Sequence, residues 1–168
     1  ALQLNRMNSY TFTFEELNLS QVAEEALKRV EPFLKDKEIA VSTRLDPEIW
    51  VKGDLFGLQS SIQSLIENSA LYNTAPKKKL ELGVERELGR AVITVSDNGQ
   101  GVMPAEKERI FDRFYRGKSG RRVPGTGLGL YIARGVVAAH QGVIRLVDGE
   151  SPGAHFRIEL PALRGGRA

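Results

Sequence analysis

Ala91-Val92-Ile93-Thr94-Val95-Ser96-Asp97-Asn98-Gly99-Gln100-Gly101 is the stretch on which the fold turns: a β-branched apolar run that stops at an aspartate and breaks into alternating glycines. Such a run predicts a strand, and Asp-Asn-Gly predicts a turn at its end. A second glycine cluster, Gly125-Thr126-Gly127-Leu128-Gly129-Leu130, opens an apolar helical pattern. Alternate glycines leave backbone N–H groups unshielded and allow close approach to a phosphate, and a helix starting there adds the positive end of its dipole. The aspartate suits a different contact, since a carboxylate accepts from an exocyclic amine such as that of adenine. The pair points to a nucleotide.

Outward from these clusters, both flanks give elements. Upstream, Leu80 to Glu87 reads as the partner strand, joined to Ala91–Asp97 around Gly89. Before it, Asp54 is placed to cap a helix running to about Tyr72, and Gln21 to Lys37 carries apolar residues at helical spacing behind a possible Asn18 or Ser20 cap, with Pro32 as a possible kink. Ile39–Leu45 and Ile49–Val51, separated by Asp46-Pro47, are expected to form a strand pair, and Phe12, Phe14 and Leu17 an extended lead-in. Downstream, a short helix is expected around Ala105 to Phe111, and a long one from Leu128 to His140 with Gly142 as its cap. Strands follow at Val143–Val147 and His155–Leu160.

The chain has 168 residues, 41% apolar and 27% charged, ordinary values for one domain with its own core. It has no cysteine and two histidines, which excludes disulfides and disfavours a zinc centre. No apolar run is long enough to span a bilayer and no secretory signal is visible, so a cytoplasmic location is expected. The net charge of +3 is small for a nucleic-acid binder, but seven cations, Lys107, Arg109, Arg113, Arg116, Lys118, Arg121 and Arg122, fall between the glycine clusters, where they suit a triphosphate. His140 and His155 read as structural.

Four boxes in order resemble the ATP-binding catalytic domain of sensor histidine kinases, within the superfamily of gyrase, heat-shock chaperone, histidine kinase and mismatch-repair ATPases. Leu65-Ile66-Glu67-Asn68-Ser69 with Tyr72 is similar to the N box, Asp97–Gly101 to the first glycine box, Ile110-Phe111-Asp112-Arg113-Phe114-Tyr115-Arg116 to the F box, and Gly125–Leu130 to the second glycine box. The resemblance implies an α+β two-layer sandwich of Bergerat type: a mixed, mostly antiparallel sheet of about five strands, covered on one face by three helices, with a mobile ATP lid over about 102–124. Residues 12–161 would be the catalytic domain, 1–11 the tail of a preceding helical dimerisation segment or linker, and 162–168 a flexible tail.

It implies the site as well. Asn68 would ligate Mg2+ and Asp97 would read the adenine amine, with Gly99, Gly101 and Val102 beneath the base and Tyr72 beside it. Gly125, Thr126, Gly127, Leu128, Gly129 and Leu130 would cradle the phosphates, and Arg116 would be the lid cation, with Phe111, Phe114 and Tyr115 clasping the lid to the body. The reaction implied is transfer of the γ-phosphate from Mg-ATP to a histidine on a dimerisation domain, with a response regulator downstream and membrane attachment only through other parts of a parent protein.

Two positions depart from the family pattern. Ser64 stands where a second asparagine is usual, and where the water-activating acid of the hydrolysing relatives would sit. Leu71 stands where a lysine or arginine is usual, and a lost charge-assisted contact of roughly 1.5–3 kcal/mol weakens nucleotide binding by an order of magnitude or more. The alternative reading is therefore a nucleotide-binding or partner-docking module of the same fold with weak or lost kinase activity.

Overall fold

The computed structural model describes residues 10–115, 128–149 and 151–164. In chain order the elements are β1 (Glu15–Asn18), α1 (Leu19–Asp36), β2 (Ala40–Leu45), β3 (Trp50–Gly53), α2 (Leu55–Tyr72), β4 (Lys79–Glu87), β5 (Arg90–Asp97), α3 (Gly129–Ala139), β6 (Val143–Val147) and β7 (His155–Pro161). Five strands form one sheet in the order β2-β4-β5-β7-β6, parallel between β2 and β4 and antiparallel elsewhere. β1 and β3 make a separate antiparallel pair.

Period-two alternation decides which side of the sheet is covered. Leu80, Leu82 and Val84 of β4, Ala91, Ile93 and Val95 of β5, and Phe156, Ile158 and Leu160 of β7 are all buried in the core shared with the three helices. The intervening residues face outward and carry charge pairs: Arg157 to Glu87 at 3.0 Å and to Glu159 at 3.3 Å, Arg145 to Glu159 at 3.3 Å, and Arg44 to Glu81 at 3.0 Å. The α+β sandwich with helices on one face is as expected.

α2 is the central helix and packs against both α1 and α3. That explains why small residues, Gly57, Ser61, Ser69 and Ala70, are buried along it beside Leu58, Ile62, Leu65 and Ile66. The Asp54 side chain caps it, accepting from Gly57 N–H at 2.8 Å, and Asn18 caps α1 by accepting from Gln21 N–H at 3.2 Å. Pro32 is tolerated inside α1 because it lies on the exposed face, where the carbonyl it frees is left to solvent.

Two local expectations are corrected and a third gains its geometry. β2 and β3 do not pair with each other: a tight hairpin needs residues at positive φ, and Asp46-Pro47-Glu48 supplies none. The turn is held by the start of α1 instead, through Asn18 Nδ2 to Pro47 O at 2.9 Å and Leu19 N to Ile49 O at 2.8 Å. The helix expected over Ala105–Phe111 is two 3₁₀ turns, Pro104–Glu106 and Arg109–Phe111, since only Phe111 of that stretch is buried and no apolar stripe repays a longer helix. Gly142 closes α3 as expected, following the left-handed Gln141, φ +58°. Gln141 and Gly142 donate to the carbonyls of Ala138 and Val137, and glycine at 142 is required for room, as a Cβ there would lie 2.5 Å from Glu159 O.

Candidate functional site

Asp97 ends β5 beside the start of β7. Its N–H donates to Ala154 O at 3.0 Å, and its Oδ1 accepts from Gly99 N–H at 2.9 Å and Ala154 N–H at 3.0 Å. Both side-chain bonds fall on Oδ1, so the second carboxylate oxygen is the one left for a ligand. The fit depends on Gly153: at φ +122°, a Cβ there would sit 1.9 Å from Asp97 O. Gly101, at φ +75°, closes on Gly153 in turn, with a built Cβ 3.1 Å from Gly153 O.

The loop after Asp97 is pinned to the end of α2. Asn73 Nδ2 donates to Asn98 Oδ1 at 2.9 Å, Asn98 Nδ2 to Lys77 O at 2.7 Å, and Thr74 Oγ1 to Gln100 Oε1 at 2.9 Å. Residues 73–77 are thus the brace that brings β5 and α2 to one cavity. Gly99 is packed against Asn73, with a built Cβ 3.1 Å from Asn73 Cα, and stands behind the cavity rather than in it.

The cavity is open to solvent, about 650 Å³ counting its mouth. Asn68 and Tyr72 come from α2, Asp97, Gly101 and Val102 from the β5 exit, and Leu130 from α3. Six of the residues expected from sequence therefore share one pocket. Leu128 and Gly129 stand at the start of α3, which packs against α2 at Ser64, 3.5 Å from a Cβ built on Gly129. Arg116, Gly125, Thr126 and Gly127 lie outside the described residues. Ser69, Gln100, Glu106, Ile110 and Ala154 also line the pocket and were assigned no role from sequence. Gly153 and Ala154 could be found only by knowing that β7 starts where β5 ends, a pairing that composition does not reveal.

Glu106 and Tyr115 form the rim. The Tyr115 hydroxyl donates to Glu106 Oε1 at 2.6 Å, which pushes the phenol pKa up, and the Arg109 guanidinium lies 4.8 Å from the Tyr115 ring centre. Of the three aromatics expected to clasp a lid, Phe111 is buried edge-on to Phe156, centroids 6.2 Å apart. Phe114 is exposed at φ +62°, with Arg113 over its ring. Ion pairs of Lys107 with Asp148 and of Arg134 with Asp112 hold the same segment to the body. Glu67 is exposed and outside the pocket lining, its carboxyl pushed up by partial desolvation.

The two histidines are occupied elsewhere. His140 is buried, its Nε2 accepting from Asp54 N–H at 2.9 Å, so Nδ1 carries the proton and donates to Val136 O at 2.8 Å. His155 bonds Ser151 O through Nε2 at 2.8 Å.

A sheet covered by helices on one face, with its pocket between the central helix and a glycine-bearing strand exit, defines a nucleotide-binding sandwich. Residues 53–164 match the family of histidine kinase-, DNA gyrase B- and HSP90-like ATPases, and the chain belongs to it. It is similar to the signal transduction histidine-protein kinase/phosphatase MprB of Mycobacterium avium (strain 104), 32% identical over 95% of this chain and 31% of that protein. The Mycolicibacterium smegmatis MprB is 33% identical over 97% of this chain and 33% of its own. The chain thus spans about a third of the length of these relatives. Among solved structures, the mycobacterial sensor histidine kinase MprB aligns with TM-score 0.77 at 28% identity, covering 89% of this chain and 98% of that one. Full-length ShkA in complex with AMPPNP shares the fold, with TM-score 0.83 at 22% identity over 99% of this chain and 35% of that one. The chain is accordingly an ATP-binding catalytic domain of the histidine kinase type. Among the described residues no helix is long and apolar enough to cross a membrane.

Proposed function

We propose that this chain binds Mg-ATP in the cavity between α2, the β5 exit and α3 and donates the γ-phosphate to a histidine on a dimerisation domain of the same parent protein, with a response regulator as the next acceptor. One observation carries the reading: Asn68, Tyr72, Asp97, Gly101, Val102 and Leu130, from three distant segments, line one open pocket.

Each residue has a chemical task there. The Asp97 oxygen not engaged by Gly99 and Ala154 accepts from the adenine amine. Val102, Ile110 and Leu130 supply apolar walls for the base, and Tyr72 flanks it. Asn68 fits a magnesium ion: its carboxamide is a neutral oxygen donor at the pocket wall, suited to a cation that takes its other ligands from water and phosphates. Magnesium, when bound, neutralises charge on the phosphates in flight. The start of α3, with the N–H groups of 125–130, receives the phosphates, and Arg116 clamps the γ-phosphate from a lid over about 102–124. Phosphoryl transfer demands positioning and cations more than covalent help from the protein, so a domain lacking the acceptor still does most of the work on the donor.

Ser64 beside the start of α3 puts a hydroxyl where hydrolysis would need a carboxylate, which favours transfer over ATP hydrolysis. Leu71, half-buried, offers no phosphate contact and gives weight to the second reading, a nucleotide-binding or partner-docking module with little kinase activity. The site presents no nucleic-acid motif, and a cytoplasmic face is the location at which ATP is supplied.

Labelled ATP mixed with this chain and the histidine-bearing hairpin of its parent separates the two readings. Acid-labile phosphate on the hairpin, abolished by Asn68→Ala, supports the kinase. Nucleotide binding with an unlabelled hairpin supports the second. Label on His140 or His155 of the isolated chain would overturn both, because both histidines are engaged away from the pocket.

A further inference from the structure

Among the described residues few buried polar side-chain atoms lack a hydrogen bond within the protein. Gln59 Oε1 lies between α1 and α2, on a side chain whose Nε2 already donates to Glu25 at 2.6 Å. Arg157 Nε lies on the outer sheet face, on a side chain paired with Glu87 and Glu159. Ser69 Oγ differs from both because its residue lines the nucleotide cavity. Ser69 is 2% exposed, and a buried hydroxyl without a partner is costly, so this one is matched to something the cavity admits.

The ordinary fate of a buried helix serine is a bond to the carbonyl four residues back. Ser61, two turns earlier on α2, makes that bond, its Oγ donating to Gly57 O at 2.9 Å. Ser69 does not. Depth then fixes which part of a nucleotide it meets. Of the polar side chains lining the cavity, only Ser69 and Asp97 are buried; Asn68, Tyr72, Glu106 and Tyr115 are half-buried and Gln100 is exposed. A step of one residue along a helix turns a side chain by about 100°. Asn68 therefore stands at the cavity wall nearer solvent, while Ser69 is turned toward the sheet, at the floor it shares with Asp97, Ala154 and Leu130.

We infer that Ser69 is a second base-reading residue, its hydroxyl donating to a ring nitrogen of the purine on an edge that carries the amine accepted by Asp97. The inference rests on the proposal that this cavity is the ATP site. It gives the pocket one fixed acceptor, which matches the adenine amine and mismatches the guanine carbonyl, and one rotatable hydroxyl that completes the contact with adenine.

Calorimetric titration of the full chain and of Ser69→Ala and Asp97→Asn with magnesium and ATP, 1-deaza-ATP or 7-deaza-ATP tests it. Ser69→Ala is expected to weaken ATP about three- to tenfold, the effect of one neutral hydrogen bond, while the melting temperature of the free protein is unchanged or higher. One deaza analogue, lacking the ring nitrogen concerned, should bind the parent chain correspondingly less well and lose nothing further in Ser69→Ala. If Ser69→Ala binds ATP as the parent does, or weakens ATP and both analogues by the same factor, the inference is overturned while the ATP site stands on the Asp97→Asn result. A lower melting temperature with unchanged ATP affinity would make the hydroxyl a structural group and overturn it too. No heat from ATP with the parent chain would bring down the site itself.

Discussion

Two aspartates, Asp54 and Asp97, occupy matching places at the ends of strands β3 and β5, and both are buried. Asp54 spends both oxygens inside the protein: Oδ1 accepts from Gly57 N–H at 2.8 Å and the Tyr10 hydroxyl at 3.0 Å, Oδ2 from Thr13 N–H at 2.8 Å. Asp97 has both its side-chain bonds on one oxygen. The first carboxylate joins the chain leading into β1 to the N-termini of α2 and, through the Asp54 N–H to His140 bond, to the end of α3. The second keeps bonding capacity and faces a cavity. Burial alone does not mark a functional carboxylate; the unspent oxygen does.

The strongest way to break this contrast is to remove the contact that orients Asp97. Gly153→Ala forces a Cβ into the Asp97 carbonyl at a φ that L residues avoid, and should cost at least about 3 kcal/mol in chemical denaturation and abolish ATP binding. Asp54→Ala strips a helix cap together with the Tyr10 and Thr13 bonds and should cost about 2 kcal/mol, a fall in Tm of roughly 4–8 °C, with ATP affinity unchanged below the transition. Asp97→Asn retains the Oδ1 acceptor and should leave Tm almost unmoved while raising the Kd for ATP about 30-fold by calorimetry. Equal loss of binding in the Asp54 and Asp97 variants would erase the distinction.

The smallest effect is on pH. Burial opposes ionisation of Asp54, but the N–H groups of Gly57 and Thr13 and the Tyr10 hydroxyl outweigh it and hold the carboxyl below the usual carboxylate range. A group depressed in the folded state contributes stability that is complete above its unfolded value, about 4, and is lost as pH falls through the folded value. Denaturation midpoints of the parent chain should therefore drop below about pH 4, and Asp54→Asn should flatten that limb.

Much of this was legible before any coordinates. The alternation in β4, β5 and β7, the Asp54 cap and the glycine exit of β5 are local patterns, and local patterns survive folding. What escaped depended on remote partners. β2 joins β4 in parallel across an intervening helix, and no residue in β2 announces it. Gly153 looks like turn material until Asp97 is set against it, and Ser69 like one more small residue on a buried face. Gly142 is legible as a cap, but that the left-handed turn falls on Gln141 and that glycine at 142 serves for room against Glu159 is not.

The tie between Asp97 and Ala154 spans 57 positions and reaches into the last strand of the domain. β5 can pair with β4 through a tight local turn, and Gly99 gives its aspartate one nearby bond, but the second comes only with β7. A chain shortened before 153 would lose that second bond together with the buried Phe156, Ile158 and Leu160, and with them both the interior strand of the sheet and the seat of the purine.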